Sequence, residues 1–483
     1  MMQPAVYQRR EPEKTLLYHL VQENLETFIA HCNGKDAPVP RFVDDEFQAY
    51  LKCGILAYGA VRVYCKDCRF DRLVAFSCKK RGFCPSCMAR RMSETAAHIV
   101  DCVVPIGVST RQWVLSLPPP LRYLIAYDTE ACSAVRGAFI KALFAWLRLS
   151  AKKKHGLQSA QLAFPGAITF VQRFGGALNL NVHFHTLVTD GVFVEDATGN
   201  ARFYETPPPS QSDIQHITER VIASVTRWLQ RKYGEQSFSD ELSSRDNLLA
   251  ACYAASIRNN AALGSSGQAE AVVLLGAHGA SATEPKHRNS IAGFSLHASV
   301  AVDGDDRRAL ERLLRYMGRP PISEERLERT SDGQVIVRFK RPWSDGTTHV
   351  KMPPLELLAR LTSIIPPPRV NQIIYHGVFA ANSRLRKKVI PQRDDEDAES
   401  TLGTSTGCGP ASGHRLGWSK MMARVFEIDV YQCPKCGSQM QQIAFITDPR
   451  AIRDVLHALK MPTAPPALAK ARPQPQCAFE FSA

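Results

Sequence analysis

The stretches GAITFVQRF, residues 166–174, and HFHTLVTDGVFV, residues 183–194, are the two apolar runs that decide the fold. Both are rich in β-branched and aromatic residues and are separated by a turn, which predicts two strands. WVLSLP (113–118) and FSLHASVAV (294–302) have the same character, whereas the stretch from Tyr127 to Leu149 and RRALERLLRYM have the periodicity of amphipathic helices. The sequence therefore predicts a domain in which strands and helices are mixed.

His183 and His185 lie two residues apart on the second of these strands. Because alternate side chains of a strand point to the same face, both imidazoles can bind one ion. Two histidines leave coordination positions open, which suits a catalytic divalent metal better than a closed structural site. Polar side chains lie close by in the sequence: Gln172, Asn179, Asn181 and Asp190. The alternative is a chance pair of surface histidines, since the motif is short.

Tyr316 lies near the end of the predicted helix RRALERLLRYM, which Pro320 and Pro321 stop. Five arginines accompany it: Arg307, Arg308, Arg312, Arg315 and Arg319. Such cations would hold a DNA backbone against the phenol, and tyrosine is one of the nucleophiles that can attack a metal-polarised phosphate. The alternative is a half-buried amphipathic tyrosine at a helix end.

Two Cys-x2-Cys pairs, Cys65 with Cys68 and Cys84 with Cys87, are separated by fifteen residues. This spacing is typical of a structural zinc site, in which four thiolates surround one tetrahedral ion. Two further thiols lie nearby, Cys53 and Cys78. They could join a second site, replace ligands of the first, or be buried as small apolar side chains.

Basic residues surround the second cysteine pair: Lys79, Lys80, Arg81, Arg90 and Arg91. Basic side chains on a zinc scaffold suit contacts with phosphates, and Phe83 among them suits stacking on a base. A solvated basic surface is the alternative. A single pair near the C-terminus, Cys433 and Cys436, indicates a second zinc site less strongly because it needs two more ligands; the candidate donors are Cys408, His414 and Cys477.

Composition sets the wider limits. Among 483 residues, 60 Lys and Arg exceed 46 Asp and Glu; the net charge of +14 favours a polyanionic partner, although it could serve solubility alone. No apolar run is long enough to span a bilayer, and the N-terminus lacks the apolar core of a signal peptide. We therefore expect a cytoplasmic protein with no membrane partner. In that compartment its fourteen cysteines are poor candidates for disulfides, so metal binding is the leading interpretation of the paired ones, and the remaining six are expected mostly to be ordinary buried thiols.

Together these motifs resemble the insertion-sequence ninety-one family of rolling-circle transposases and the related common-region element transposases. The resemblance is carried by FSCKKRGFCPSCMARRM, RQWVLSLPPPLRYL, QRFGGALNLNVHFHTLVTDGVF, LLRYMGRPPIS and PPPRVNQIIYHGVFAANSRLR. These stretches occur in order over roughly residues 50–390, and CPKCGSQMQQIAFITD matches the C-terminal end of the family.

The resemblance implies an α+β fold, a ferredoxin-like antiparallel sheet of the His-hydrophobe-His (HUH) endonuclease superfamily. His183 and His185 match the metal-binding motif, and the third ligand in relatives points to Gln172, with His297 as the second candidate. Tyr316 matches the second tyrosine of the family's Tyr-x3-Tyr pair, whose first position is Arg312 here, as in a one-tyrosine enzyme. Tyr375 is the second candidate for the nucleophile.

The resemblance further implies an activity and a division of the chain. The protein would bind Mg²⁺ or Mn²⁺ at the histidines and structural Zn²⁺ at the cysteines. It would nick and rejoin single-stranded DNA at transposon ends through a 5′-phosphotyrosine, near the bacterial nucleoid; a homo-oligomer is compatible with this. We expect a helical arm (1–50), a zinc-binding DNA-recognition module (51–103), an endonuclease domain with the tyrosine helix (104–330), an accessory α/β segment (331–392), a linker (393–415) and a C-terminal Cys-x2-Cys unit with a tail (416–483).

Two other functions stay open at this point. A relaxase or replication initiator would use the same chemistry in a different biological role. A non-catalytic zinc-dependent DNA-binding regulator would explain the cysteines and the charge, but neither the histidine pair nor Tyr316.

Overall fold

The structure is a computed structural model that describes residues 7–234, 248–258, 260–262, 273–276, 288–343, 345–391, 418–426 and 428–473. The predicted linker lies outside these residues, as do the candidate zinc donors Cys408, His414 and Cys477. Among the described helices, none is both long and apolar enough to cross a membrane.

Twelve helices and fifteen strands form the described part of the chain. The helices are α1 (Leu16–Asn33), α2 (Arg41–Lys52), α3 (Pro85–Cys102), α4 (Pro119–Tyr127), α5 (Thr129–His155), α6 (Gln211–Tyr233), α7 (Leu248–Arg258), α8 (Arg307–Met317), α9 (Pro354–Ile364), α10 (Arg386–Val389), α11 (Trp418–Phe426) and α12 (Pro449–Ala458). The strands are β1 (Ala60–Tyr64), β2 (Asp71–Ala75), β3 (Thr110–Ser116), β4 (Gly166–Phe174), β5 (Leu180–Thr189), β6 (Gly191–Glu195), β7 (Ala201–Glu205), β8 (Val273–Gly276), β9 (Arg288–Ile291), β10 (Phe294–Val302), β11 (Leu327–Arg329), β12 (Val335–Arg338), β13 (Thr347–Met352), β14 (Ile373–Gly377) and β15 (Gln441–Ile446).

A six-stranded sheet in the order β14-β4-β5-β3-β10-β9 forms the centre of the molecule. All its neighbouring strands are antiparallel, which confirms the predicted mixture of helices and antiparallel strands. The stretch predicted as one strand at 183–194 is two strands, because β6 leaves this sheet and pairs with β7. Gly191 allows the change, since a Cβ there would lie 2.4 Å from the carbonyl oxygen of Tyr204.

The central sheet is covered by helices on both faces. Alternate residues of β5, such as Val182 and Phe184, pack with α5 and α6 in one apolar cluster. On the opposite face, Leu187 and Phe170 pack with α3 and α8 in a second cluster. The residues between the apolar ones on β5 therefore point to the α8 face, and this alternation places His183 and His185 there.

Two smaller sheets flank the central one. The four strands β11-β12-β13-β8 form one of them, in which β12 and β13 pair as an antiparallel hairpin. The three strands β15-β1-β2 form the other, which places the C-terminal strand β15 beside the N-terminal strand β1. The segment predicted as a C-terminal unit therefore shares a sheet with the cysteine-rich module, residues 51–103.

A buried ion pair on α9 gives a test of the fold. Arg360 and Glu356 are 0% and 3% exposed; Arg360 also donates to the carbonyl of Ala177 at 2.7 Å, and Glu356 accepts from the amide of Ala262 at 2.7 Å. Arg360→Ala should lower the free energy of unfolding by about 3–5 kcal/mol, because it leaves a buried carboxylate without its cation. Urea unfolding followed by circular dichroism measures the loss.

The matched control is Arg338→Ala, which removes an exposed pair with Glu328. It should change the unfolding midpoint little, since solvent screens exposed pairs. Equal destabilisation by the two variants would contradict the structural role assigned to Arg360.

Candidate active site and cysteine clusters

The imidazole rings of the two histidines on β5 point their Nε2 atoms toward each other. The Nε2 atoms of His183 and His185 lie 3.0 Å apart, and both side chains are buried. Two ligands at right angles around an octahedral ion, each about 2.1 Å from it, also lie about 3.0 Å apart. The pair therefore has the spacing of two adjacent metal ligands.

The outer nitrogens of both rings are held by neighbouring groups. His183 Nδ1 donates to the carbonyl of Asn181 at 2.7 Å, and the Gln112 amide lies 2.8 Å from His185 Nδ1. Burial lowers the pKa of His183 to about 4; burial first, and then the charges of His183 and Arg319, hold the pKa of His185 well below its usual range. Both rings are thus neutral at neutral pH, which is the form that binds a metal ion.

Gln172 is a third polar side chain beside the two histidines. It lies directly opposite His183 on β4, and its Nε2 donates to the carbonyl of Met317 at 2.6 Å. Its Oε1 is buried without a hydrogen-bond partner among the described residues. An amide oxygen in this position suits a hard divalent cation, and its burial without a partner is otherwise costly.

The other polar candidates lie elsewhere. His297 is on the same face but two strands from His185, and its Nε2 bonds the Ser299 hydroxyl at 2.9 Å. In the part of the chain that the structure describes, no group of three candidate ligand side chains includes the histidine pair and His297. Asp190 binds Arg111 through both oxygens, at 2.9 and 2.7 Å, and burial raises the pKa of Asp190 despite this arginine.

Helix α8 carries Tyr316 over the histidine pair. Asp306 caps the N-terminus of this helix. The apolar side of the helix packs on the sheet through Leu310, Leu314 and Met317, so that Tyr316 points outward. The Tyr316 ring stands edge-on to His185 with centroids 5.9 Å apart, and the side chain is 43% exposed. A substrate can reach an exposed phenol beside two buried imidazoles, as it must reach any group that attacks it.

Cations lie against the Tyr316 ring. The Arg319 guanidinium is 4.9 Å from the ring centroid, and Lys340 Nζ is 5.8 Å from it. Arg312 lies one turn before Tyr316 and is exposed on the same side of the helix. Arg315 binds Glu311 at 2.6 Å, which leaves Arg319 and Lys340 as the cations nearest the phenol.

Tyr375 lies away from this cluster. It is on β14 opposite Ile168, whereas His185 is opposite Phe170, two residues along β4. Its ring is half-buried and packs in the apolar cluster beneath α8. The structure therefore brings Tyr316, and not Tyr375, to the histidines.

A small cavity of about 50 Å³ lies between the central sheet and the cysteine-rich module. Its lining includes Gln172 and Arg319 from the site, and Arg81, Arg91 and Met92 from the module. Arg81 donates to the carbonyl of Val370 at 2.7 Å, which ties the module to the segment before β14. Of the other predicted DNA-binding residues, Lys79 is exposed, Lys80 is half-buried, and Arg90 pairs with Glu94.

Phe83 is not available for stacking on a base. It is fully buried and packs against Phe47 and Tyr50, with ring centroids 4.9 and 5.0 Å away. The aromatic residue between the basic ones therefore belongs to the core of the N-terminal helices.

The cysteines form two clusters, and the predicted combination of Cys65, Cys68, Cys84 and Cys87 around one ion is wrong. Cys84 and Cys87 lie at the start of α3 and meet Cys53 and Cys78. Cys65 and Cys68 follow β1 and meet Cys433 and Cys436 from the segment before β15. The two predicted pairs are separated because β2 carries the chain from one cluster to the other.

The first cluster, Cys53, Cys78, Cys84 and Cys87, is the more buried of the two. Cys87 Sγ lies 3.6 Å from Cys53 Sγ and 3.3 Å from Cys78 Sγ, and Cys84 Sγ lies 3.7 Å from Cys53 Sγ. Four converging cysteines are the ligand set of a structural zinc ion.

Sequence reasoning missed two residues of the histidine site. Gln112 stands on β3, where the apolar strand WVLSLP gave no reason to single out the residue before it. Lys340 comes from the loop after β12, far in sequence from Tyr316. The signal for Gln112 was its position on β3, opposite Leu187 of β5, and this position follows only from the order of the strands in the sheet.

Two models of known families match parts of the chain. Residues 166–387 match the family model described as "Putative transposase", and residues 20–117 match that of the "Transposase zinc-binding domain". The chain is therefore a transposase, a class of protein that cleaves and transfers DNA strands. It belongs to the IS91 transposases, to which the zinc-binding family model refers, in agreement with the resemblance found in the sequence. Neither a curated protein nor a solved structure matches the chain.

Proposed function

We propose that this transposase nicks and rejoins single-stranded DNA at transposon ends, with Tyr316 as the nucleophile of an HUH-type endonuclease site. The observation that carries the proposal is the position of Tyr316, edge-on to His185 beside two buried Nε2 atoms 3.0 Å apart. An exposed nucleophile next to two buried imidazoles that can bind one metal ion suits phosphodiester cleavage.

The residues at this site fit a divalent cation such as Mg²⁺ or Mn²⁺. His183 Nε2, His185 Nε2 and Gln172 Oε1 would hold it, and the unpartnered Oε1 is the observation that favours this ligand set. When bound, the cation would polarise the scissile phosphate as a Lewis acid. For His185 to bind through Nε2, its proton must lie on Nδ1. The Gln112 amide presents its nitrogen to that atom at 2.8 Å, and a half-turn of the amide group would bring its oxygen there to accept the proton.

The protein side chains then account for the transfer itself. The Tyr316 hydroxyl oxygen attacks the phosphorus, the bond from phosphorus to the 3′ oxygen breaks, and the phenol proton is lost as the leaving 3′ oxygen gains one. The products are a 5′-phosphotyrosine and a free 3′-OH, which can prime replication. Arg319 and Lys340 stand beside the ring to offset the phosphate charge.

The covalent link keeps the energy of the phosphodiester bond, so rejoining needs no nucleotide cofactor. With Arg312 in place of a first tyrosine, two strand transfers would use Tyr316 twice in succession, the Tyr316 of a second copy of the chain, or another tyrosine.

Cations between the zinc-binding module and the tyrosine would hold the DNA strand. Arg81 and Arg91 of the zinc-binding module line the small cavity together with Arg319 and Gln172 of the histidine site. A chain of phosphates along these cations would run from the module that binds transposon ends to the tyrosine.

Cleavage of end DNA tests the proposal. A labelled single-stranded oligonucleotide that spans a transposon end is incubated with the zinc-loaded protein, with and without Mn²⁺, and the adduct is mapped by peptide mass spectrometry. We expect Mn²⁺-dependent cleavage and an adduct on Tyr316. An adduct on another residue would overturn the nucleophile, and binding without any cleavage would favour a DNA-binding regulator.

A relaxase or replication initiator would give the same adduct, so the cleaved sequence separates these functions. A transposase gene lies between its own recognition ends, and we expect cleavage of oligonucleotides from the flanks of this gene. Cleavage of a plasmid origin alone would favour the replication role.

Gln112 gives a separate prediction about the metal. Gln112→Ala should weaken Mn²⁺ binding by about 10–100-fold, since it removes the group that orients the His185 ring. Electron paramagnetic resonance of free Mn²⁺ measures the affinity. Gln112→Glu should retain tight binding, because its carboxylate accepts the Nδ1 proton; a loss as large as that of the alanine variant would contradict the orienting role.

A further inference from the structure

The second cysteine cluster joins segments from distant parts of the chain. Cys65 Sγ lies 3.5 Å from Cys436 Sγ, and Cys68 Sγ lies 3.4 Å from Cys433 Sγ. All four sulfurs lie within 4.8 Å of one another. Four thiolates that are each about 2.3 Å from a tetrahedral zinc ion lie about 3.8 Å apart, so the cluster has the size of a zinc site.

The two Cys-x2-Cys turns have the same backbone geometry. The amide of Cys65 donates to the carbonyl of Phe70, and the amide of Cys433 donates to the carbonyl of Ser438, both over five residues and both at 2.9 Å. The residue after the second cysteine is left-handed in each turn, with φ of 56° at Arg69 and 76° at Gly437. Each turn therefore presents its two sulfurs alike, and the turns face each other as two halves of one site.

The surrounding structure holds the two halves together. β15 pairs with β1 from Gln441 to Ile446, and the guanidinium of the buried Arg72 donates to the carbonyl of Val430 at 2.9 Å. Val63 and Met440 pack beside the sulfurs in a small apolar cluster. So few apolar side chains stabilise little by themselves, and a metal ion is the usual means by which such a small unit is held.

We propose that Cys65, Cys68, Cys433 and Cys436 bind a second zinc ion, so that the C-terminal segment is a part of the zinc-binding domain. The matched zinc-binding domain ends at residue 117 and contains only half of this ligand set. The other half, Cys433 and Cys436, lies just before β15, on the C-terminal side of the endonuclease region. The module that binds DNA ends is thus completed by the far end of the chain.

The two sites differ in their access to solvent. Cys436 is exposed and Cys68 is half-buried, whereas three of the four sulfurs of the first cluster belong to buried residues. A chelator reaches an exposed ligand first, so zinc at the second site exchanges faster than zinc at the first.

Zinc content of the full-length protein tests the proposal. We expect two zinc ions per chain in the wild type, and one in the double variant Cys433→Ser, Cys436→Ser. Cys102→Ser, which removes a half-buried cysteine outside both clusters, should keep two. A chelator should release zinc from the wild type in two equal phases, of which the faster is absent from the double variant.

Hydrogen exchange gives a second readout that does not depend on the metal assay. In the double variant, the amides of β15 should lose protection, while those of the central sheet keep theirs. Two zinc ions in the double variant, one in the wild type, or a disulfide between these cysteines in the wild type would overturn the proposal. A double variant with no zinc would also overturn it, because the sites would not be independent.

Discussion

Replacing Tyr316 with phenylalanine should abolish the covalent DNA adduct and lower the rate of strand cleavage by about 10⁴-fold or more, because the nucleophilic oxygen is lost. The ring is 43% exposed, and phenylalanine keeps its contacts with His185 and Arg319, so the fold should not change. The adduct with a labelled oligonucleotide is measured after denaturing electrophoresis, and the rate is measured in single-turnover reactions with Mn²⁺.

Tyr375→Phe is the matched control for this variant. It removes a hydroxyl from a tyrosine on the same side of the sheet but outside the site, and it should retain the adduct and the rate. An adduct formed by Tyr316→Phe and lost in Tyr375→Phe would reverse the assignment and place the nucleophile on β14.

Replacing both His183 and His185 with alanine should remove the dependence of cleavage on Mn²⁺ and lower its rate by about 10³-fold or more, since no pair of imidazoles remains to bind the cation. The affinity for end DNA should fall much less, because Arg319, Lys340 and the cations of the zinc-binding module remain in place. Cleavage rates are measured over a range of Mn²⁺ concentrations, and DNA affinity is measured by fluorescence anisotropy.

His297→Ala controls for the loss of a histidine from the same face of the sheet, two strands away. This variant should cleave at the wild-type rate and keep its Mn²⁺ dependence. Metal-dependent cleavage by the double histidine variant would refute the proposed metal site, and equal loss in His297→Ala would make His297 its third ligand in place of Gln172.

The histidine pair was readable from the sequence because its geometry is local. A separation of two residues on a strand places both histidine side chains on the same face. The apolar side chains of Val182, Phe184 and Val188 then show that the opposite face is the one buried in the larger core. The periodicity around Tyr316 was equally local, since the apolar side of α8 determines the outward direction of the tyrosine. Periodicity alone does not show that β5 and α8 lie next to each other; only the resemblance to a family or the structure does.

The assignment of the cysteines could not be made from spacing. A Cys-x2-Cys turn presents two sulfurs, but its sequence does not say which other turn it faces. Cys65 and Cys84 are close in sequence, yet one follows β1 and the other begins α3, so they belong to different clusters. Gln112 and Lys340 were missed for the same reason, because their positions depend on the pairing of distant segments.

The split ligand set of the second cluster has a consequence for the synthesis of the protein. Cys68 and Cys433 are 365 residues apart, whereas Cys53 and Cys87 of the first cluster are only 34 apart. Closing the longer loop costs about 2 kcal/mol more chain entropy. On the ribosome the first cluster can form early, but Cys65 and Cys68 must wait until residue 436 has emerged. A nascent or truncated transposase would therefore carry an unfinished zinc-binding domain, and only a chain made past that residue would have both halves of the proposed second zinc site.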